Sequence, residues 1–171
     1  MGALAGIDAK RAALLLLILA AAAIAGAWVF EAFGYLPCEL CLKQRIAYYA
    51  GVPLAALVAA ITLRGEGSPA RGVLAAGFIG VALIFAASAL LGVYHSGVEW
   101  GFWPGPAECT GDFRAAPGGN LLEQLKTVKV VRCDAVAIRI IGLSLAGWNA
   151  VVSAALVALA VIGARRAASE L

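Results

Sequence analysis

Four long stretches without one charged side chain dominate this sequence: Ala12 to Phe30, Ile46 to Leu63, Gly72 to Tyr94 and Ile140 to Ala164. Each has about the 17 to 25 residues that a helix rising 1.5 Å per residue needs to cross a hydrocarbon layer roughly 30 Å thick. In lipid every backbone polar group must be paired within its own segment, so runs of this length fold as helices that pack together. Pro53 falls inside the second run, where membrane helices tolerate it when neighbours satisfy the freed carbonyl. The first run follows Lys10 and Arg11, so its alternative reading is a cleaved signal peptide, although it is longer than a usual signal core.

With 63% apolar and 13% charged residues the chain lies far from a soluble globular composition. The net charge of +3 is small and the basic residues flank the apolar runs, so no nucleic-acid interface is expected and membrane lipid is the natural surrounding. Lys10, Arg11, Arg64, Arg71, Arg165 and Arg166 crowd the two ends and the short middle connection. The seven other basic residues are diluted among seven acids in the longer loops, about 31–45 and 95–139. That density places both termini on the cytoplasmic side. Small residues in the runs indicate close helix packing, and no repeat is visible. The expected fold is an all-α membrane protein: a single domain over 1–171, a four-transmembrane-helix bundle with two extracytoplasmic loops.

All four cysteines lie in those two loops. Cys38 and Cys41 sit between the first and second spans, Cys109 and Cys133 between the third and fourth. Outside the cytoplasm disulfides persist, so an even count there is informative. An isolated C-x-x-C serves as a redox pair, half a zinc site or a structural clip. Here, a helix starting near Pro37 would put both sulfurs in its first turn, where free N–H groups and the helix dipole favour a thiolate. Arg45, four residues after Cys41, shares that face as a cation for a thiolate or a partly reduced acceptor; the plainer reading of Arg45 and Lys43 is interfacial anchoring. Cys109 and Cys133 have 23 residues between them, unlike the second half of a zinc ribbon, and no metal is expected.

Within the long loop, Asn120 and Glu123 have the pattern of a helix cap. Leu121, Leu122, Leu125 and Val128 form the apolar face of a short amphipathic helix, lying on the bilayer or against the bundle. Pro104-Gly105-Pro106 and Pro117-Gly118-Gly119 read as extended or turning chain, so Cys109 is expected on a stretch that a soluble protein can reach. A water-soluble thiol partner cannot enter lipid and a lipid-soluble oxidant cannot leave it, so a relay needs one cysteine pair facing each.

The segment Pro37-Cys38-Glu39-Leu40-Cys41-Leu42-Lys43-Gln44-Arg45 resembles the first-loop signature of the bacterial disulfide bond formation protein DsbB family. Trp103-Pro104-Gly105-Pro106-Ala107-Glu108-Cys109 resembles the surroundings of that family's third cysteine. Cys133-Asp134 and Gly142-Leu143-Ser144-Leu145-Ala146-Gly147-Trp148-Asn149 resemble its fourth cysteine and last span. The resemblance covers nearly the whole chain. It implies a thiol:quinone oxidoreductase in the bacterial inner membrane that reoxidises a periplasmic DsbA-like thioredoxin-fold protein and passes the electrons to ubiquinone or menaquinone. By the same resemblance Cys109 forms the mixed disulfide with the partner, Cys133 is its mate, and Cys38 and Cys41 are reoxidised by the quinone, Cys41 facing it. Arg45 matches the arginine that assists the quinone. His95, the single histidine, ends the third span either at the quinone or as an interfacial cap. Trp148 and Asn149 match the family and also suit helix packing. Between Cys133 and Gly142 the chain lacks the bulky aromatics expected of the family. Two other readings are a vitamin K epoxide reductase-like protein, in which the quinone-side C-x-x-C comes late in the chain rather than early, and a noncatalytic scaffold clipped by inert cystines.

Overall fold

The computed structural model describes residues 7–64, 68–106, 109 and 131–169. Four helices are long and apolar enough to cross a membrane: α1 (Ala9–Ala32), α2 (Glu39–Arg64), α3 (Ser68–Glu99) and α4 (Leu145–Ser169). They form a ring in which α1 packs on α2 and α4, and α3 packs on the same two. Large apolar side chains such as Ile18, Leu57, Leu83 and Leu90 point outward, as a lipid-facing surface requires. Phe78, Phe85, Leu16 and Leu156 fill the centre.

Helix ends are closed by local chemistry. Asp8 caps α1, its side chain accepting from the Arg11 N–H at 2.7 Å. The ends of α1 and α3 on the cysteine-loop side share one solution, a left-handed glycine whose flanking amides bond back to the last turn. At α1, Gly34 (φ 92°) donates to Glu31 and Tyr35 to Phe30; at α3, Gly101 (φ 74°) donates to Val98 and Phe102 to Gly97. These caps turn the chain sharply at the ends of α1 and α3. Pro53 lies within α2 without ending it.

The fourth helix starts later than the uncharged run suggests. Ile140 to Ser144 do not belong to it: Arg139–Ile140 (β1) and Leu143–Ser144 (β2) pair antiparallel around a turn. Ile141 and Gly142 have φ of 51° and 79°, a pair of positive angles that suits a tight hairpin and breaks a helix. Ser144 then caps α4, its hydroxyl accepting from the Gly147 N–H at 3.1 Å. The second helix starts earlier than its uncharged run, at Glu39 instead of Ile46, because Lys43 and Arg45 sit in its first turns. The short amphipathic helix expected from Asn120, and the Pro117-Gly118-Gly119 turn, lie outside the described residues.

Glycines set the helix spacing. A methyl on Gly92 of α3 would stand 2.9 Å from the Ala150 backbone nitrogen of α4, whereas Gly26 of α1 has open space around it. Gly92→Ala is expected to force α3 and α4 apart and lower stability by about 1–3 kcal/mol, read as a lower thermal midpoint in detergent. Gly26→Ala is the matched control and should leave that midpoint unchanged or slightly raised.

Candidate functional site

Cys38 is the residue just before α2, and its sulfur accepts the Cys41 N–H at 3.3 Å, capping the helix that follows. One turn on, the Cys41 sulfur lies 2.9 Å from the Cys38 sulfur, and both are free thiols. Across the helix interface His95, buried near the end of α3, brings Nε2 to 3.6 Å from the Cys38 sulfur. Gln44, buried on the same face of α2, holds the other ring nitrogen, its amide nitrogen 3.0 Å from Nδ1. With the Gln44 amide donating there, Nδ1 is the acceptor and the ring proton sits on Nε2, directed at the sulfur.

Three hydrogen-bonding contacts thus meet at the Cys38 sulfur, from the Cys41 sulfur, the His95 ring and the Cys41 amide. The Cys41 thiol contributes most, followed by the His95 ring and the Cys41 amide; together they outweigh burial and pull the Cys38 thiol down to about 4.

Cys109 and Cys133 are joined by a disulfide. The Cys133 N–H donates to the Cys109 carbonyl at 3.2 Å, and the Cys109 N–H to the Pro106 carbonyl at 2.9 Å. The loop's approach to this point is fixed by Trp103, whose indole donates to the Tyr94 carbonyl at 2.9 Å and lies flat on the bare backbone of Gly97. The expected accessible Cys109 is not what the fold gives. Cys109 and Cys133 are each 1% exposed, packed with Cys38, Leu40 and Val98 in one small apolar cluster. The α3 cap turns the chain at Gly101, and Cys109 comes to lie in one cluster with Cys38 and Leu40 at the start of α2. As a result the Cys38 sulfur, a His95 ring nitrogen and the Cys133 sulfur lie within 4.8 Å of one another.

Behind Cys41 a cavity of about 360 Å³ opens between α1, α2, α4 and the segment after Cys133. Cys38, Cys41, Gln44, Arg45, His95 and Glu99 are among its polar lining groups. The Arg45 guanidinium is anchored by α1, donating to Glu31 at 2.5 Å and to the Ala27 carbonyl at 3.2 Å. Glu99 accepts a short hydrogen bond from Ser144, which joins the end of α3 to the cap of α4. Deeper in the bundle Tyr48 donates to Asn149 at 2.8 Å, and Asn149 and Ser153 reach Ser88. Trp148 donates to the Ile140 carbonyl and braces the hairpin.

Every cysteine, Arg45 and His95 therefore gather at one end of the bundle. Gln44, Glu31 and Glu99 complete the surroundings, and the sequence alone did not mark them as partners. The signal for Gln44 was available, since an amide three residues after Cys41 shares its helix face. Glu31 became visible as a partner only when α1 and α2 were placed side by side.

A Cys41→Ser variant leaves Cys38 as the one free thiol and keeps a hydroxyl donor beside it. Its alkylation by a small reagent should be nearly independent of pH between about 6 and 8 and should fade only as acid protonates the sulfur. A rate that climbs about tenfold per pH unit up to roughly pH 8.5 would mean an ordinary thiol.

The chain matches the family described as Disulfide bond formation protein DsbB over residues 9–163. No curated protein and no solved structure matches it. The family match covers the first three helices, both cysteine-bearing loops and most of the fourth helix. The chain belongs to the DsbB family, and is thus a multi-pass membrane enzyme, a thiol:quinone disulfide oxidoreductase.

Proposed function

We propose that this protein reoxidises a periplasmic DsbA-type dithiol oxidase and delivers the electrons to a membrane quinone, ubiquinone or menaquinone, with both termini in the cytoplasm of a bacterium and the cysteine loops in the periplasm. The observation that carries the reading is the meeting of Cys38 and Cys133 beside His95, with Cys41 and Arg45 on the wall of a cavity among the membrane helices. A cavity of about 360 Å³ falls within the usual range of small-molecule sites, and this one combines apolar walls with a few convergent polar groups, which suits a quinone head.

Exchange proceeds in balanced steps. A partner thiolate attacks Cys109, breaking the Cys109–Cys133 bond and freeing Cys133 as a thiolate. Cys133 attacks Cys38 of an oxidised Cys38–Cys41 pair, releasing Cys41 as a thiolate. The second partner thiol then closes the partner's disulfide and releases Cys109, which attacks Cys133 and displaces Cys38. The outcome is a Cys109–Cys133 disulfide beside two reduced sulfurs at Cys38 and Cys41, the arrangement present in the structure. His95 steadies Cys38 as the leaving thiolate, and the Cys41 amide does the same from the other side. A bound quinone supplies the sink for two electrons and two protons. Arg45, held by Glu31 and Ala27, keeps a fixed positive charge on the cavity wall where negative charge develops. Because Cys109 is buried, partner docking includes a local rearrangement that exposes it.

The late C-x-x-C of a vitamin K epoxide reductase-like protein is not the order found here, and a clipped scaffold gives no reason for a free thiol and a histidine held together beside the second disulfide. In a purified assay with ubiquinone and a reduced DsbA-type substrate, Cys109→Ala should abolish oxidation of the partner and Cys41→Ala should abolish quinone reduction. Arg45→Ala should lower kcat/KM for quinone by about 10- to 100-fold, equivalent to about 1.4–2.8 kcal/mol. Full activity in either cysteine variant would overturn the relay, and an unchanged quinone dependence would return Arg45 to an anchor.

A further inference from the structure

The groups that bring Cys38 to Cys133 also have the composition of a metal site. With Zn–S about 2.3 Å and Zn–N about 2.0–2.1 Å, a tetrahedral centre sets S···N edges of about 3.6 Å and S···S edges of about 3.8 Å. The Cys38 sulfur and His95 Nε2 are 3.6 Å apart, and the Cys133 sulfur completes a triangle whose sides are all within 4.8 Å. Cys41, its sulfur 2.9 Å from that of Cys38, is nearer than the S···S edge of such a centre and reaches a fourth corner only by moving outward. All three residues of the triangle are buried, which removes competing water. Gln44 sits on the far nitrogen of His95, where a metal-bound imidazole needs a partner; with the amide turned, its carbonyl oxygen accepts the Nδ1 proton and leaves Nε2 free to bind.

One ligand is withheld in the present state. Cys133 is bonded to Cys109, and a disulfide sulfur is a poor donor to a hard or borderline cation. Reduction by a dithiol breaks that bond, gives two thiols and converts the dithiol to its own disulfide. We propose that the fully reduced protein binds one Zn²⁺ through Cys38, Cys133 and His95, with Cys41 closing the site, and that the oxidised protein does not. Binding displaces the thiol protons to solvent, and the thiolates of Cys38 and Cys133 balance the charge of the dication. A metal so held occupies both sulfurs through which the two pairs exchange, so zinc stops the relay only after reducing equivalents have accumulated in it. The sequence spacing gave no sign of this site because its ligands come from three separate segments, residues 38–41, 95 and 133.

The site is tested by titrating Co²⁺ into quinone-free protein in detergent, reduced with a phosphine. One equivalent should produce the visible bands of tetrahedral cobalt, bleached by added Zn²⁺, and the protein with its Cys109–Cys133 disulfide intact should show none. Cys133→Ser and His95→Ala should each weaken binding by at least about tenfold, within the range set by losing a ligand or its support. Cys109→Ser should bind as the parent does, since Cys109 is not a ligand. Unchanged affinity in His95→Ala, tetrahedral bands in the oxidised protein, or equal losses in Cys109→Ser and Cys133→Ser would each overturn the proposal. The readout involves neither quinone nor partner, so its failure and the failure of the proposed relay are separable.

Discussion

The contact between the Cys38 sulfur and the His95 ring holds the site together. It joins the start of α2 to the end of α3, and through α3 it reaches the loop that carries Cys109 and Cys133. Gln44 fixes the ring from the other side, so the histidine presents one nitrogen to the sulfur and cannot turn away. Everything else at this end of the bundle serves that meeting. The two glycine caps turn the chain at the ends of α1 and α3, Trp103 packs onto Gly97, and Ser144 ties the start of α4 to Glu99. A bundle of four apolar helices has few directional forces within lipid, so buried polar contacts at its end carry much of the register.

Cys38 and Cys41, one helical turn apart, both line the cavity with Arg45 and His95. Cys38 also meets His95 and the Cys133 sulfur. The segment after Cys133, which lacks the bulky aromatics expected of the family, contributes Ala135, Ala137 and Ile138 to the cavity wall. Small side chains there leave room beside Cys41 that aromatic rings would fill.

Much of this was legible before any coordinates. Lengths of uncharged sequence located all four helices, because desolvation of a charge in lipid is costly enough to make the pattern nearly binary. A helix start close to Pro37 was also legible, although α2 begins at Glu39 and leaves Cys38 just outside its first turn. The start of α4 was not, since Ile140 to Ser144 are as apolar as a span and only the positive φ angles at Ile141 and Gly142 turn them into a hairpin. The burial of Cys109 was also hidden, because a proline-glycine stretch reads as accessible chain until the preceding helix cap shows where it is sent. Glu31 as the partner of Arg45, and His95 as the partner of Cys38, depend on which helices are neighbours, and no local pattern encodes that.

The central claim is that the two cysteine pairs are coupled directly through Cys38 and Cys133. It is tested most simply in a protein carrying Cys41→Ala and Cys109→Ala, oxidised gently and analysed by peptide mass under non-reducing conditions. The expected result is one intramolecular disulfide joining the peptides that contain Cys38 and Cys133, formed in the folded protein and lost when it is denatured before oxidation. Two free thiols, or only intermolecular dimers, in the folded protein would contradict the account.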